Sequence, residues 1–115
     1  MQILNPDDVT ERVAEFYRSL PFNYEETVET AACTVREQNQ IAAAYPALHT
    51  LLASGLGTSV IDIGCGAGWF VNTVAFHYGL QVVGVDLCEP ALTRARAVAE
   101  ELSVSRRVTY YCADL

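Results

Sequence analysis

The sequence contains no lysine. Its seven basic residues are all arginines (Arg12, Arg18, Arg36, Arg94, Arg96, Arg106 and Arg107) against fourteen acidic ones, giving a net charge of −7 at pH 7. Scattered arginines on an acidic chain do not make the positive surface that a phosphate backbone demands, so nucleic acid is disfavoured as a partner. The four cysteines, Cys33, Cys65, Cys88 and Cys112, form no CxxC pair, which removes the zinc ribbon and the thioredoxin-type motif. The first residues have neither a basic stretch nor a long apolar run, so no secretory signal is read there. Free thiols in a reducing cytoplasm are the expectation. No charge falls between positions 38 and 61, a length that could cross a bilayer. Asn39, Gln40, Pro46, His49, Ser54, Gly55, Gly57 and Ser59 break that stretch, and the expectation is no membrane span. Neither an internal repeat nor a low-complexity linker is evident.

What is present fits one small folded domain: 115 residues, 51% apolar and 18% charged. Two regions differ in pattern, a helical segment over 1–57 and an alternating strand–helix segment over 58–115. In the first, Asn5 caps a helix that Pro6, Asp7 and Asp8 favour. Val9, Val13, Phe16 and Leu20 form its apolar face, and Pro21 stops it. A second helix is expected from Asn23, with Glu26 three residues on as in a capping box, through Val28, Ala32 and Val35. It ends near Gln38 or continues toward Ala44. Pro46 opens a short helix ended by Gly55 or Gly57.

The second region reads as β-α-β-α-β. Apolar strands are expected over 59–63, 81–86 and 107–112, with helices over 69–78 and 90–102. Gly79 suits the C-cap of the first helix. Leu92, Ala95, Ala99 and Leu102 make one face of the second. Strands apolar on both sides and separated by helices imply a parallel sheet with right-handed crossovers, half of a doubly wound α/β fold.

In such sheets ligands bind beyond the carboxyl ends of the strands. Three features fall there: the loop Gly64-Cys65-Gly66-Ala67-Gly68, Asp86 and Asp114. Glycines let the chain turn tightly and bring bare peptide groups to a ligand, at a helix N-terminus with unpaired N–H donors. Alone, such a loop is equally a plain strand–helix turn. Asp86, 18 residues after Gly68, ends the second strand and can accept hydrogen bonds from ribose hydroxyls. Its bland alternative is a carboxylate capping the next helix. The spacing is G-x-G-x-G, and Trp69 stands where the dinucleotide fingerprint wants its third glycine. An indole at a close helix–strand contact argues against NAD.

The stretch Val60-Ile61-Asp62-Ile63-Gly64-Cys65-Gly66-Ala67-Gly68 resembles the first motif of class I SAM-dependent methyltransferases. Val82-Val83-Gly84-Val85-Asp86 resembles their second, and Cys112-Ala113-Asp114-Leu115 the segment after their third strand. The resemblance covers about half the chain. It implies S-adenosylmethionine (SAM) as cofactor, with Gly64, Gly66 and Gly68 along its methionine part and Asp62 fixing the loop. Asp86 would take the ribose hydroxyls and Leu87 would pack on adenine. Asp114 would accept from the adenine amino group, with Ala113 and Leu115 beside the ring. Cys65, Cys88 and Cys112 fall near the strand ends, where small residues line a cofactor pocket; Cys65 sits within the loop itself. A three-thiol metal site lacks a fourth ligand.

The aromatic stretch from Phe16 to Tyr24 is similar to helical leaders that cover the cofactor in some members, through Tyr17 or Tyr24; plain packing between helices is the simpler reading. His77 falls in the last turn of a helix, a structural place, and His49 has no acidic neighbour in sequence. In the resembled family, residues that hold and deprotonate the methyl acceptor come after the fourth strand or later, so the acceptor is not legible here. The acidic charge favours a small molecule or a protein over nucleic acid, and a small molecule is the expectation. The strand 59–63 is expected to have an open apolar edge, which invites pairing. That edge points to a piece of a longer enzyme or to self-association. The alternatives are a non-catalytic SAM-binding or assembly chain needing a partner and, behind it, an NAD-binding oxidoreductase.

Overall fold

The computed structural model describes residues 27–55 and 59–114. The expected first helix, Asn23, Tyr17 and Tyr24 lie outside them. Helix α1 spans Val28–Glu37 and starts where Thr27, in extended conformation, accepts the Thr30 amide on its hydroxyl at 3.0 Å. The expected start at Asn23 is therefore corrected: Thr27 is the cap, and its extended backbone cannot continue a helix. Gln38, also extended, ends α1. Asn39 then takes the amides of Ile41 and Ala42 on its side-chain oxygen, each at 3.1 Å, and opens α2, Gln40–Ala44. Pro46 in the first turn begins α3, Pro46–Ala53.

Three strands follow, β1 Ser59–Ile63, β2 Gln81–Asp86 and β3 Val108–Cys112, joined by α4 Trp69–Tyr78 and α5 Glu89–Glu101. They form one parallel sheet in the order β1-β2-β3, with Ile61 beside Val83 and Thr109 in the next strands. This is the expected α/β arrangement, a run of β-α-β-α-β with flanking helices. Gly79, at φ +65°, closes α4 as read from the sequence. Helix α5 buries Ala91, Leu92, Ala95, Val98 and Ala99.

Two crossovers that step the same way across a parallel sheet put their helices on one face. Helix α4 packs against β2 and β3, α5 against β3, and α1 lies across both helices. Val60, Val82, Val108 and Tyr110 point into that layer and share a core with Ala32, Val35, Val71, Val74 and Leu92. Ile61, Ile63 and Tyr111 point the other way and keep 61%, 66% and 55% of their surface exposed. Among the described residues, the structure thus adds a bare sheet face to the open β1 edge expected from the sequence. Among the described residues no helix is long and apolar enough to cross a membrane.

Candidate functional site

The carboxyl ends of the three strands are stitched together by backbone hydrogen bonds. The Val85 carbonyl accepts the Gly64 and Cys65 amides at 2.7 and 3.0 Å, and the Asp86 carbonyl accepts the Ala113 amide at 3.0 Å. On β3, the Cys112 thiol donates to the Leu87 carbonyl at 3.5 Å. Asp62, Gly64, Cys65, Gly66, Gly68, Asp86, Leu87, Ala113 and Asp114 therefore gather at one end of the sheet, on the loops leaving β1, β2 and β3. Leu115 lies outside the described residues.

The glycine loop has two kinds of glycine. Gly64 and Gly66, at φ +79° and +58°, have open space where a Cβ would stand. A side chain there would be strained and would also fill the room in front of the loop. Gly68, at φ +81°, instead faces inward, and its Cβ would collide with the Tyr110 hydroxyl and with Ala95. It is the residue before α4, and no side chain caps that helix. The first-turn amides of α4 are thereby left to the loop and to any ligand.

Asp86 is the electrostatic centre, 7% exposed. One carboxylate oxygen accepts the Gly66 amide at 2.9 Å and the other accepts the Cys88 amide at 2.9 Å. The helix-entry role, the alternative the sequence allows, is therefore partly real: Asp86 orders the chain entering α5, and Cys88, the N-cap residue, offers no side-chain bond. Each oxygen keeps a second acceptor site, so ribose hydroxyls can still be taken. Asp62 stands nearby, and among the described residues nothing donates a hydrogen bond to it. Burial, and then the Asp86 charge, push its carboxyl above the usual range. Burial, with Asp86 and Asp62 adding to it, pushes the Cys65 thiol up to about 12. Cys65 is a packed, protonated thiol.

Beside the loop lies an open hollow of about 390 Å³, lined by Tyr45, Leu48, Asp62, Gly64, Cys65, Trp69 and Phe70, within the size range of small-molecule sites. Trp69 is 40% exposed at its rim. The argument that an indole would obstruct a close helix–strand contact is thereby corrected. The close contacts are made at Gly68 and Gly84, and Trp69 faces the hollow. Tyr45, Leu48 and Phe70 went unremarked in the sequence because only the packing of α2 and α3 beside α4 brings them to the loop.

The remaining candidates resolve as structural. His77 donates from Nε2 to the Val35 carbonyl at 2.6 Å, tying α4 to α1. The Tyr78 hydroxyl accepts from Asn39 at 3.0 Å and shares a hydrogen bond with His49 Nδ1 at 2.6 Å. Among the described residues no cluster of His, Cys, Asp or Glu could hold a metal ion.

A glycine loop, a strand-end carboxylate and a helix N-terminus without a side-chain cap stand at one end of the parallel sheet, where ligands bind in doubly wound folds. Comparison with known proteins specifies it further. Residues 60–115 match the family model described as a methyltransferase domain. The uncharacterized protein YjhP of Escherichia coli (strain K12) is 35% identical over 66 residues, 57% of this chain and 27% of that protein. The ubiquinone biosynthesis O-methyltransferase of Idiomarina loihiensis is 43% identical over 56 residues, 49% of this chain and 22% of that protein. A solved SAM-dependent methyltransferase from Geobacter sulfurreducens, in complex with S-adenosyl-L-homocysteine, superposes with a TM-score of 0.51 at 36% identity. The match covers 62% of this chain and 30% of that one. One from Thiobacillus denitrificans, with the same ligand, gives 0.51 at 25% identity over 99% of this chain and 38% of that one. The chain thus carries the N-terminal part of a class I SAM-dependent methyltransferase fold. It spans between 18% and 27% of the first three curated relatives.

Proposed function

We propose that this chain is the donor-binding part of a SAM-dependent methyltransferase acting on a small molecule. The observation that carries the reading is the meeting of Asp86 with the open side of Gly64 and Gly66, bridged by the Gly66–Asp86 hydrogen bond. A nucleoside with a flexible, uncrowded tail suits that surface. Gly64, Cys65 and Gly66 line the methionine end, with Gly68 setting the loop behind them. Asp62, a carboxylate with acceptor capacity unused by the described residues, faces the α-ammonium group beside the hollow. Asp86 takes the ribose hydroxyls on its free acceptor sites, Leu87 packs on adenine, and Ala113, Asp114 and Leu115 border the ring. By sequence pattern the chain divides into a helical segment, 1–57, and a donor-binding segment, 58–115, with α1 packed onto the helices of the second.

When bound, SAM supplies an electrophilic methyl group, and in-line displacement asks the protein mainly for proximity and alignment. Gly64 and Gly66 let the backbone approach closely, and Asp86 holds one end of the donor so that its other end is aimed. Trp69, Phe70 and Tyr45 keep the hollow beside Asp62 apolar. The net charge of −7 supports a small acceptor over nucleic acid. Curated relatives named for small-molecule chemistry, a ubiquinone biosynthesis O-methyltransferase and a probable tocopherol O-methyltransferase, support the same choice. The four free thiols support a reducing cytoplasm.

The second reading, a chain that binds SAM but acts only with a partner, is favoured by the bare face at Ile61, Ile63 and Tyr111 and by the open β1 edge. Through that edge the chain can also self-associate. Isothermal calorimetry with SAM, S-adenosylhomocysteine and NAD tests the donor assignment. Binding of the first two and not the third is expected; NAD binding alone would overturn it. Methyl transfer by the chain without a partner would remove the second reading.

A further inference from the structure

Glycine inside a strand is unusual, because it weakens the strand unless something approaches it closely. Gly84 sits in the middle of β2, beside Tyr110 in β3. A Cβ on Gly84 would stand 2.7 Å from two ring carbons of Tyr110 and 2.9 Å from the Cys65 sulfur. The ring therefore presses against bare backbone at Gly84 and passes beneath the glycine loop at Cys65. Its hydroxyl emerges at Gly68, the second glycine that a side chain would make impossible. There it donates to Asn72 Oδ1 at 2.7 Å and also faces the Gly68 carbonyl at 3.4 Å. Asn72, 1% exposed, donates in turn to the Ala95 carbonyl at 3.1 Å. One buried chain of hydrogen bonds thus runs from β3, beneath the loop, through α4 to α5.

The roles of Tyr110 and the two glycines are interlocked. A phenylalanine would fill the same space, so the ring alone does not explain the hydroxyl. A buried hydroxyl costs stability unless it is bonded, and this one is bonded where the loop turns into α4. We propose that Tyr110 is a positioning residue: its hydroxyl, held by Asn72, fixes the Gly68 turn and thereby the spacing between the glycine loop and Asp86 that sets donor affinity. The last clause rests on the SAM-binding reading; the fixing of the turn does not.

Two measurements on the 115-residue chain separate those clauses. The first is amide hydrogen exchange in Tyr110→Phe, compared with the parent chain. The Asn72 amide, which bonds the Gly68 carbonyl at 2.9 Å, and the Gly68 amide, which bonds Cys65, are the reporters. Exchange at these two is expected to quicken about tenfold, while Val82 and Gly84 in β2 stay within about twofold. Equal acceleration throughout, or none at the loop, would overturn the proposal whatever the chain binds. The second is affinity for S-adenosylhomocysteine, read well below the melting temperature. A drop of roughly tenfold with the fold intact is the expected result; unchanged affinity beside a lowered melting temperature would reduce Tyr110 to packing. If the parent chain binds no SAM or S-adenosylhomocysteine, the donor reading fails and the exchange result still decides the positioning of the turn.

Tyr110→Phe with Asn72→Leu guards against simple loss of folding. Replacing both partners of a buried hydrogen bond by apolar groups is far milder than orphaning one, and the Gly68 carbonyl keeps the Asn72 amide. The double variant is expected to recover the parent melting temperature and to retain fast loop exchange and weak binding. Recovery of all three would overturn the proposal.

Discussion

Replacing Asp86 by asparagine keeps the side chain's shape and takes away one acceptor. In the parent, two amides from different segments, Gly66 and Cys88, each use one carboxylate oxygen at 2.9 Å. Asparagine has a single oxygen, so its amide nitrogen must face one of those N–H groups. The residue is 7% exposed, and water can relieve little of that mismatch. Losing one charge-assisted bond costs about 1.5–3 kcal/mol. Removing the charge also relieves its repulsion with Asp62, which acts in the opposite direction at neutral pH. A net loss of about 1–2 kcal/mol remains, or roughly 5–15 °C in melting temperature for a chain of this size. Circular dichroism melts at pH 7 read that number. Calorimetry with S-adenosylhomocysteine reads the second effect, a loss of more than about tenfold, since the ribose diol would meet one acceptor in place of two. A melting temperature unchanged within about a degree, with affinity retained, would refute both the latch between the loop and α5 and the ribose assignment.

Other perturbations have equally definite outcomes. Gly84→Ala forces a methyl against the Tyr110 ring and should cost about 1–3 kcal/mol in urea denaturation. Gly66→Ala meets no neighbour and should cost only the 1–2 kcal/mol or so of a left-handed non-glycine residue, while losing more in affinity than in stability. Asp62 has its carboxyl raised in the fold, so the protonated form favours folding and that advantage is lost as pH rises through the folded value. Asp62→Asn should therefore stabilise the chain at pH 7 and give no gain below the ordinary carboxylate range, as denaturant melts at both pH values would read. Buried Cys65 and Cys88 should resist a thiol reagent at pH 8 until the chain unfolds, whereas exposed Cys112 reacts first. Ile61→Glu with Ile63→Glu should abolish binding of a hydrophobic dye and any self-association seen in sedimentation.

The strands and the helices between them were legible because each carries its own signal. The runs at β1 and β2 are apolar on both faces, Gly79 stops α4, and Leu92, Ala95 and Ala99 recur at helical spacing in α5. The residues that gather at the strand ends were legible for the same reason, since a parallel sheet has only one such end. Long-range contacts were not legible. Trp69 was placed at a helix–strand contact by its spacing from Gly64, yet α4 is rotated so that the indole faces the hollow and Gly68 makes the contact. Nothing beside Tyr110 in the sequence marks its role; the signal that points to it is Gly84, a glycine inside β2. The break at Gln38 was one of two endings the pattern allowed. Asn39 decides it, because a side chain that caps α2 cannot also sit inside a longer helix.

The one-way order β1-β2-β3 has a consequence for the loop itself. Crevices in doubly wound sheets form where the winding reverses, between strands whose helices lie on opposite faces. Here both crossovers lie on one face, and among the described residues the glycine loop stands on the outermost strand, β1, like the single jamb of a doorway. A strand laid along that edge would turn an open ledge into an enclosed slot. It would shield Asp62 and the hollow from water, as the proposed methyl transfer would require.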